Sequence, residues 1–329
     1  MRILRLLGVA FLLAAAVGGY AFYRLERTYR GFQGETFVEF PHGTGTRAMA
    51  DQLVRAGVVE SKWEFLLARW ASGAKVLQAG EYKFDHAASP MEVVRRIGRG
   101  DIFYFELVVP EGRNLFDIGA AVEHLGLFPA AKFMEAARNP ALIHDLDREA
   151  PTLEGYLFPD TYRLGRKTTP EQLCRTMTGK FRGAWKSLHT DAEVHRTVTL
   201  ASLVEKEGKL AEERPRIAAV FANRLRIGMK LDCDPTTIYA ALLLDRYHGV
   251  IHRSDLDSEQ PYNTYRHVGL PPGPIANPGI ASMRAALAPA ESDSLYFVAR
   301  ADGSGGHEFS STIAAHESAV ERYRRALRK

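Results

Sequence analysis

Residues 6–23, LLGVAFLLAAAVGGYAFY, contain no charged side chain. As a helix this run rises about 27 Å, close to the ~30 Å hydrocarbon layer of a bilayer. A chain that opens in this way commits its first helix to lipid or loses it to a signal peptidase. The small residues of LLAAAVGG offer a cleavage site. The run continues, however, through Tyr20, Phe22 and Tyr23, where the interfacial aromatic cluster of a retained span would sit. The expectation is an uncleaved anchor over residues 6–23, with residues 1–5 as a cytoplasmic head. Arg2, Arg5 and the amino terminus favour that orientation, and Arg24, Arg27 and Arg30 weaken it. No second run is long enough to span, so the remaining residues are expected on one side, outside the cytoplasm.

Those residues have the make-up of folded soluble domains. Of 329 residues, 46% are hydrophobic and 25% charged, and the length suits two or three domains. A net charge of +4 tolerates an anionic polymer but is too small an excess for a nucleic-acid binder. Cys174 and Cys233 are the only cysteines, without a CxxC or a His/Cys cluster. They build neither a disulfide scaffold nor a zinc site, and whether they pair is open. There is no P-loop or dinucleotide fingerprint, and GSGG lacks the context of a nucleophile elbow. No cofactor or metal is expected.

Residues 24–34 read as a polar linker. TFVEFPHG then predicts a strand and turn, and GTRAMADQLVRAGVV a helix stopped by Gly57. ESKWEFLLARWA predicts a second helix, with Trp63 and Trp70 in the core, and LQAGEYKF a returning strand. SPMEVVRRIGRG carries Ser89 as N-cap, Pro90 in the first turn and Glu92 three residues after the cap. The chain then partly repeats itself 69 residues on: VPEG at 109–112 matches FPHG at 40–43, and Gly126 matches Gly57. Residues 35–105 are therefore read as a small βααβ module and 106–329 as a larger mixed domain, an α+β fold overall. In that larger domain 129–150, four later segments and the closing HESAVERYRRALR read as helices, and SLYFVARADGSGGHEFSST as a hairpin. The segment 262–279, with GLPPGP inside it, cannot be a regular element.

Two carboxylates end the apolar stretch LASLVEKE, Glu205 and Glu207. Residues two apart on a helix face about 200° apart, so they cannot share one site. Either both are solvated residues at a helix end, or one serves an enclosed site. Periodicity leaves both readings open.

Four blocks resemble the endolytic murein transglycosylase family, MltG or YceG-like. They are LEGYLFPDTY (153–162), ASLVEKEG (201–208), VFANRLRIGMKLDCDPTTIYA (220–240) and YNTYRHVGLPPGPIANPGIASMRAAL (262–287). LYFVARADGSGGHEFSSTIAAH continues the match, and the anchor followed by a module resembling a LysM fold agrees with it. The resemblance covers essentially the whole chain in order. It implies a lytic transglycosylase that cuts MurNAc–GlcNAc bonds within peptidoglycan strands and leaves 1,6-anhydroMurNAc ends. It implies Glu207 as the catalytic residue and Glu205 as a supporting carboxylate. It further implies a single-pass protein of the inner membrane with a periplasmic catalytic domain, associated with cell-wall synthase complexes. Asp232 and Cys233 depart from the family, which commonly has Gln before a small polar residue.

The other candidates come from residue type. Glu154, Tyr156, Asp160 and Tyr162 offer aromatic faces beside carboxylates, suited to sugar binding or to a packed turn. Arg224, next to Asn223, could reach a substrate carboxylate or pair with Glu205. Asp234 is a substrate contact or an N-cap. Asn263 and Tyr265 lie on a loop where amides and hydroxyls commonly meet glycans. His307 reads as structural. The rival functions are a hydrolytic muramidase, needing Asp160, Asp234 or Glu154 as a second carboxylate, and a non-catalytic peptidoglycan-binding membrane protein.

Overall fold

A computed structural model of the chain describes residues 2–328; Met1 of the expected head lies outside them, as does Lys329. The chain is α+β. It divides into two compact units, Met1–Phe105 and Glu106–Lys329.

Helix α1 (Arg2–Glu26) leaves the large apolar side chains of residues 6–23, Phe11 and Phe22 among them, exposed. It is the one helix among the described residues that is long and apolar enough to cross a membrane. The first unit continues with β1 (Thr36–Phe40), α2 (Thr46–Arg55), α3 (Lys62–Ser72), β2 (Gly80–Phe84) and α4 (Pro90–Arg99). β1 and β2 pair antiparallel, Thr36 opposite Phe84 and Phe40 opposite Gly80. Strand alternation turns Val38, Phe40, Tyr82 and Phe84 inward, onto Leu53, Phe65, Val94 and Ile97 from the helices. The Ser89 hydroxyl accepts the Glu92 amide at 3.2 Å, capping α4 as its spacing predicts. The stretch 24–34 does not hang free. Leu25 is buried in this core, and the Tyr29 and Ala88 backbones exchange hydrogen bonds of 3.0 and 3.2 Å.

Trp63 and Trp70 are not in the core: they are 74% and 82% exposed. Phe65 and Ala68 are the buried side chains of α3. Positions 63, 67 and 70 share one helix face, and that face is turned away from the sheet.

The repeat is real in backbone terms. The second copy, β3 (Phe105–Val109) and α5 (Leu115–His124), has each boundary 69 residues after that of β1 and α2. Gly57 and Gly126 both stop their helices in the left-handed region, at φ 68° and 71°. The expected helix over 129–150 is shortened to α6 (Ala130–Ala137) and a 3₁₀ turn at Pro140–Leu142, because Pro140 cannot continue it. Strand β4 (Asp160–Leu164) pairs with β3. Then follow α7 (Pro170–Lys186), α8 (Val194–Glu207), α9 (Arg214–Arg226), α10 (Asp234–Leu243), the short α11 (Arg253–Leu256) and α12 (Ile280–Leu287). A hairpin of β5 (Tyr296–Ala299) and β6 (His307–Ser310) precedes α13 (Ile313–Leu327).

Helix α8 is the centre of this unit. Thr197 through Val204 are all buried, and α9, α10 and α12 pack around it. The proline-rich segment 271–279 lies against it, buried almost throughout without being a helix or strand. Its polar backbone groups find partners outside it. Ser202 Oγ accepts the Ile275 amide at 3.1 Å, the Asn277 backbone exchanges hydrogen bonds with Gly112 and Arg113, both at 2.9 Å, and Asn277 Oδ1 in turn accepts the Leu157 amide at 2.8 Å. Gly155, at φ 87°, lets this segment approach: a Cβ there would stand 2.5 Å from Pro274 and 2.9 Å from Val198.

Glu154, next to Gly155, is wholly buried under the same segment. It accepts the Leu115 amide and the Asn277 side-chain amide, both at 2.9 Å. Burial pushes its carboxyl up to about 8 against the pull of the Leu115 amide and the Tyr239 hydroxyl. The folded chain therefore keeps a proton that the unfolded chain releases near pH 4.5. Stability should fall as pH rises from there to about 8 and level off above. Glu154→Gln should flatten this decline, read as melting temperature against pH. An unchanged slope would count against it.

Candidate active site

The last turn of α8 sorts its two carboxylates. Glu205 forms an ion pair with Arg214 at 2.9 Å and accepts the Gly279 amide at 3.0 Å. Both charged side chains are largely buried, and Glu111 stands 3.5 Å from the same guanidinium. Glu205 thus joins the end of α8 to the first turn of α9 and to the residue that opens α12. Arg224, expected as a possible partner of Glu205, does not pair with it.

Glu207 points the other way, into a cavity of about 390 Å³. Arg224, Asp232, Cys233, Asp234 and Tyr265 line it with Glu207, as do Tyr296, Phe297, Ile313 and His316. Part of the Glu207 side chain meets the cavity, but protein surrounds it closely. Burial raises its pKa, although the Cys233 thiol donates to Oε1 at 3.3 Å and favours the charged form. Asp234 adds to the rise by repulsion, and Arg224 and His307 oppose it. The result is a carboxyl that keeps its proton above the ordinary carboxylate range, at the wall of an open cavity. That is the condition of a general acid.

The backbone explains why a thiol faces it. Asp232 sits at φ 45°, a left-handed turn that Asp tolerates. The turn leads into α10, where the Cys233 amide is held by Thr264 Oγ1 at 3.1 Å. Cys174 and Cys233 are both buried free thiols, so the pairing left open by the sequence is not formed. Burial, then the neighbouring Glu207, push the Cys233 thiol well up, so it stays a donor. Arg224 is fixed by three carbonyls, of Leu295 at 2.6 Å, Leu231 at 2.7 Å and Lys230 at 3.3 Å, with Asp232 3.7 Å away. Asp234 is the first residue of α10 and not its N-cap, which is Cys233; its carboxylate accepts the Tyr265 hydroxyl at 2.6 Å.

Several candidates lie elsewhere. Tyr156 is fully buried and donates its hydroxyl to Asp147, which His195 also contacts at 2.8 Å. Tyr162 is buried as well and bonds the Phe158 carbonyl. Asp160 is at the surface, paired with Lys180. Glu154 is under the loop, away from the cavity lining. Asn223 ties down the Ser292 and Ser294 carbonyls at 2.7 and 3.1 Å. Asn263 is fully buried, spends its amide on the carbonyls of Asp255, Leu256 and Ser258, and so presents nothing to a glycan. His307 is held by Glu213: its Nδ1 is 2.8 Å from that carboxylate, which also accepts its backbone amide. Sequence reasoning missed Tyr296 and His316, whose rings stack at 5.1 Å on the cavity wall. No motif marks them, because β5 and α13 meet the site only after folding. Among the described residues no cluster of His, Cys, Asp or Glu could hold a metal.

A model of the YceG-like family matches residues 38–322. The chain is 32% identical to a Bacillus subtilis protein named endolytic murein transglycosylase, over 93% of this chain and 91% of that one. A Streptococcus pneumoniae protein of the same name is 29% identical over 80% of this chain, which spans about half, 54%, of that longer relative. A yceG-like protein of Listeria monocytogenes superposes with a TM-score of 0.55 at 31% identity, over 88% of this chain and all of that one.

Removing Glu205 would strand a buried guanidinium. Glu205→Ala should cost about 3 kcal/mol, the low end for a broken buried pair because Glu111 is near Arg214. Urea denaturation should read this as a lower midpoint with an unchanged slope. A midpoint equal to wild type would remove Glu205 from its positioning role.

Proposed function

We propose, from the premise that the chain belongs to the YceG-like family, that Glu207 is the acid and base of a lytic transglycosylase cutting murein. The chain is a peptidoglycan lytic transglycosylase, a lyase that cleaves within glycan strands. The observation that carries the residue assignment is the contrast at the end of α8. Glu205 is locked in an ion pair, and Glu207 is desolvated at a cavity.

In this reading Glu207 protonates the glycosidic oxygen as the bond to the anomeric carbon breaks. The bonding pair leaves with that oxygen. The N-acetyl oxygen of the same sugar stabilises the anomeric centre. Glu207, now a carboxylate stabilised by the Cys233 thiol, takes the proton of the 6-hydroxyl as O6 attacks. A 1,6-anhydro bond forms, no water is consumed, and Glu207 ends protonated as it began. The attack is intramolecular, so holding the sugar supplies much of what a second carboxylate would. Arg224, Asp234 and Tyr265 line the same cavity and are the supporting contacts of this reading.

The α1 helix would hold the enzyme as a single-pass protein of the inner membrane, with both units in the periplasm. We read residues 35–105 as a LysM-like module that meets glycan strands, and a cell-wall synthase complex as the partner setting where the enzyme trims new chains. The hydrolytic alternative keeps one supporting observation: Asp234 shares the cavity with Glu207.

Digestion of purified glycan strands with mass readout tests the reaction. Anhydro ends are lighter than hydrolytic ends by about 18 Da, one water. Glu207→Gln should lose roughly 10²–10⁴ in rate with folding intact, whereas Glu205→Gln should keep measurable turnover. The reverse pattern would exchange the two assignments, and reducing ends from the wild type would establish the muramidase reading.

The pH profile follows from the same geometry. Because burial raises Glu207, kcat/KM should fall only as pH climbs through that raised value. Cys233→Ala removes a donor that stabilises the carboxylate, so the alkaline limb should move to higher pH. Cys233→Ser should keep it near wild type. A limb unmoved by Cys233→Ala would separate the thiol from the acid.

A further inference from the structure

The misplaced tryptophans carry an inference of their own. Trp63, Leu67 and Trp70 form a stripe on α3 that is 74%, 40% and 82% exposed. Nothing in the reaction uses it. Two indoles flanking a leucine are costly to leave in water and are the side chains enriched at membrane interfaces.

Position decides what covers them. α1 packs against α3 and α4 within the first unit. Arg24, the first charge after the apolar run, bonds Glu64 at 2.6 Å through Nε and Glu60 at 3.0 Å. Glu64 is on the first turn of α3, one residue from Trp63. If α1 spans the bilayer, Arg24 stands at its surface, and α3 starts at that level. The C-terminal end of α3 reaches a cleft walled by Lys75, Val76, Arg95 and Arg99 with no acidic residue in its lining. Arg95 and Arg99, one turn apart on α4, are exposed, and Arg99 also pairs with Asp101 at 2.9 Å. Cations at the end of a helix that carries exposed indoles match a layer of anionic phosphates over acyl chains. A glycan would call for polar donors between the aromatic faces, and here Leu67 stands between them.

We propose that the Trp63–Leu67–Trp70 face of α3 rests in the headgroup layer of the bilayer that α1 crosses, with Lys75, Arg95 and Arg99 on anionic phospholipid. This rests on the membrane-anchor reading. The module is then held against the membrane surface and does not swing on a tether.

The test uses the full chain in vesicles of phosphatidylethanolamine and phosphatidylglycerol with brominated acyl chains. Trp185, the third tryptophan, is buried in the second unit, and Trp63→Phe/Trp70→Phe supplies its signal as a blank. The emission of Trp63 and Trp70 should shift to the blue and fall by about half, as expected of indoles at the acyl boundary. Arg95→Glu/Arg99→Glu should weaken the quenching when phosphatidylglycerol is present. Full emission from protein that floats with the vesicles would overturn the proposal while leaving the anchor intact. Protein that does not float would overturn the anchor reading and this proposal together. A spectral change caused by glycan strands and not by bromolipid would make the stripe a sugar platform and overturn it too.

Discussion

The Glu205 carboxylate is shared between Arg214 and the Gly279 amide, and the site depends on that sharing. Three separate pieces of chain converge on it: the end of α8, the start of α9 and the entry to α12. The segment 271–279, neither helix nor strand, is fixed at this entry and at Asn277, whose backbone exchanges hydrogen bonds with Gly112 and Arg113. Irregular backbone is tolerated in an interior only when side chains take over its hydrogen bonds. Ser202 and Glu205 do so here, for Ile275 and Gly279. The buried loop then closes one side of α8 and leaves the cavity on the other, where Glu207 lies.

The same arrangement separates two identical side chains by environment. Glu205 has a cation and an amide, and its charge is used in structure. Glu207 has burial, a thiol and a neighbouring aspartate, and its proton is retained. Their spacing of two residues enforces this, since a helix turns them to opposite sides. The polar spacing that rules out a carboxylate pair is thus what lets one carboxyl hold the fold and the other remain free for chemistry.

Legibility in the sequence followed locality. The 69-residue repeat, the Ser89 cap and the hairpin before α13 are set by neighbours in the chain, and their elements form as read. The apparent site residues were harder. Tyr156, Asn263 and Glu154 have sugar-binding side chains, but each is consumed by a partner that tertiary contact supplies: Asp147, the 255–258 carbonyls, and Asn277 with Leu115. Trp63 and Trp70 suggest core by residue type, because large apolar side chains are usually buried. Helical phase says otherwise, since Phe65 and Ala68 already occupy the inward face. Tyr296 and His316 reach the cavity from the last elements of the chain and leave no local signature.

A chemistry with one proton carrier places its demands on rigidity. If no water is delivered and no second carboxylate attacks, the substrate must bring its own nucleophile in a set geometry. The acid must also stay still between giving its proton and taking another. Cys233 is suited to that interval: it is a donor that burial keeps protonated, so it can steady the carboxylate without competing for the proton. Its position is fixed through the backbone, by Thr264 and the left-handed turn at Asp232. In the proposed reaction Asp232 and Cys233 therefore stand where the lifetime of the charged acid is set, and a change there should be read in the pH profile.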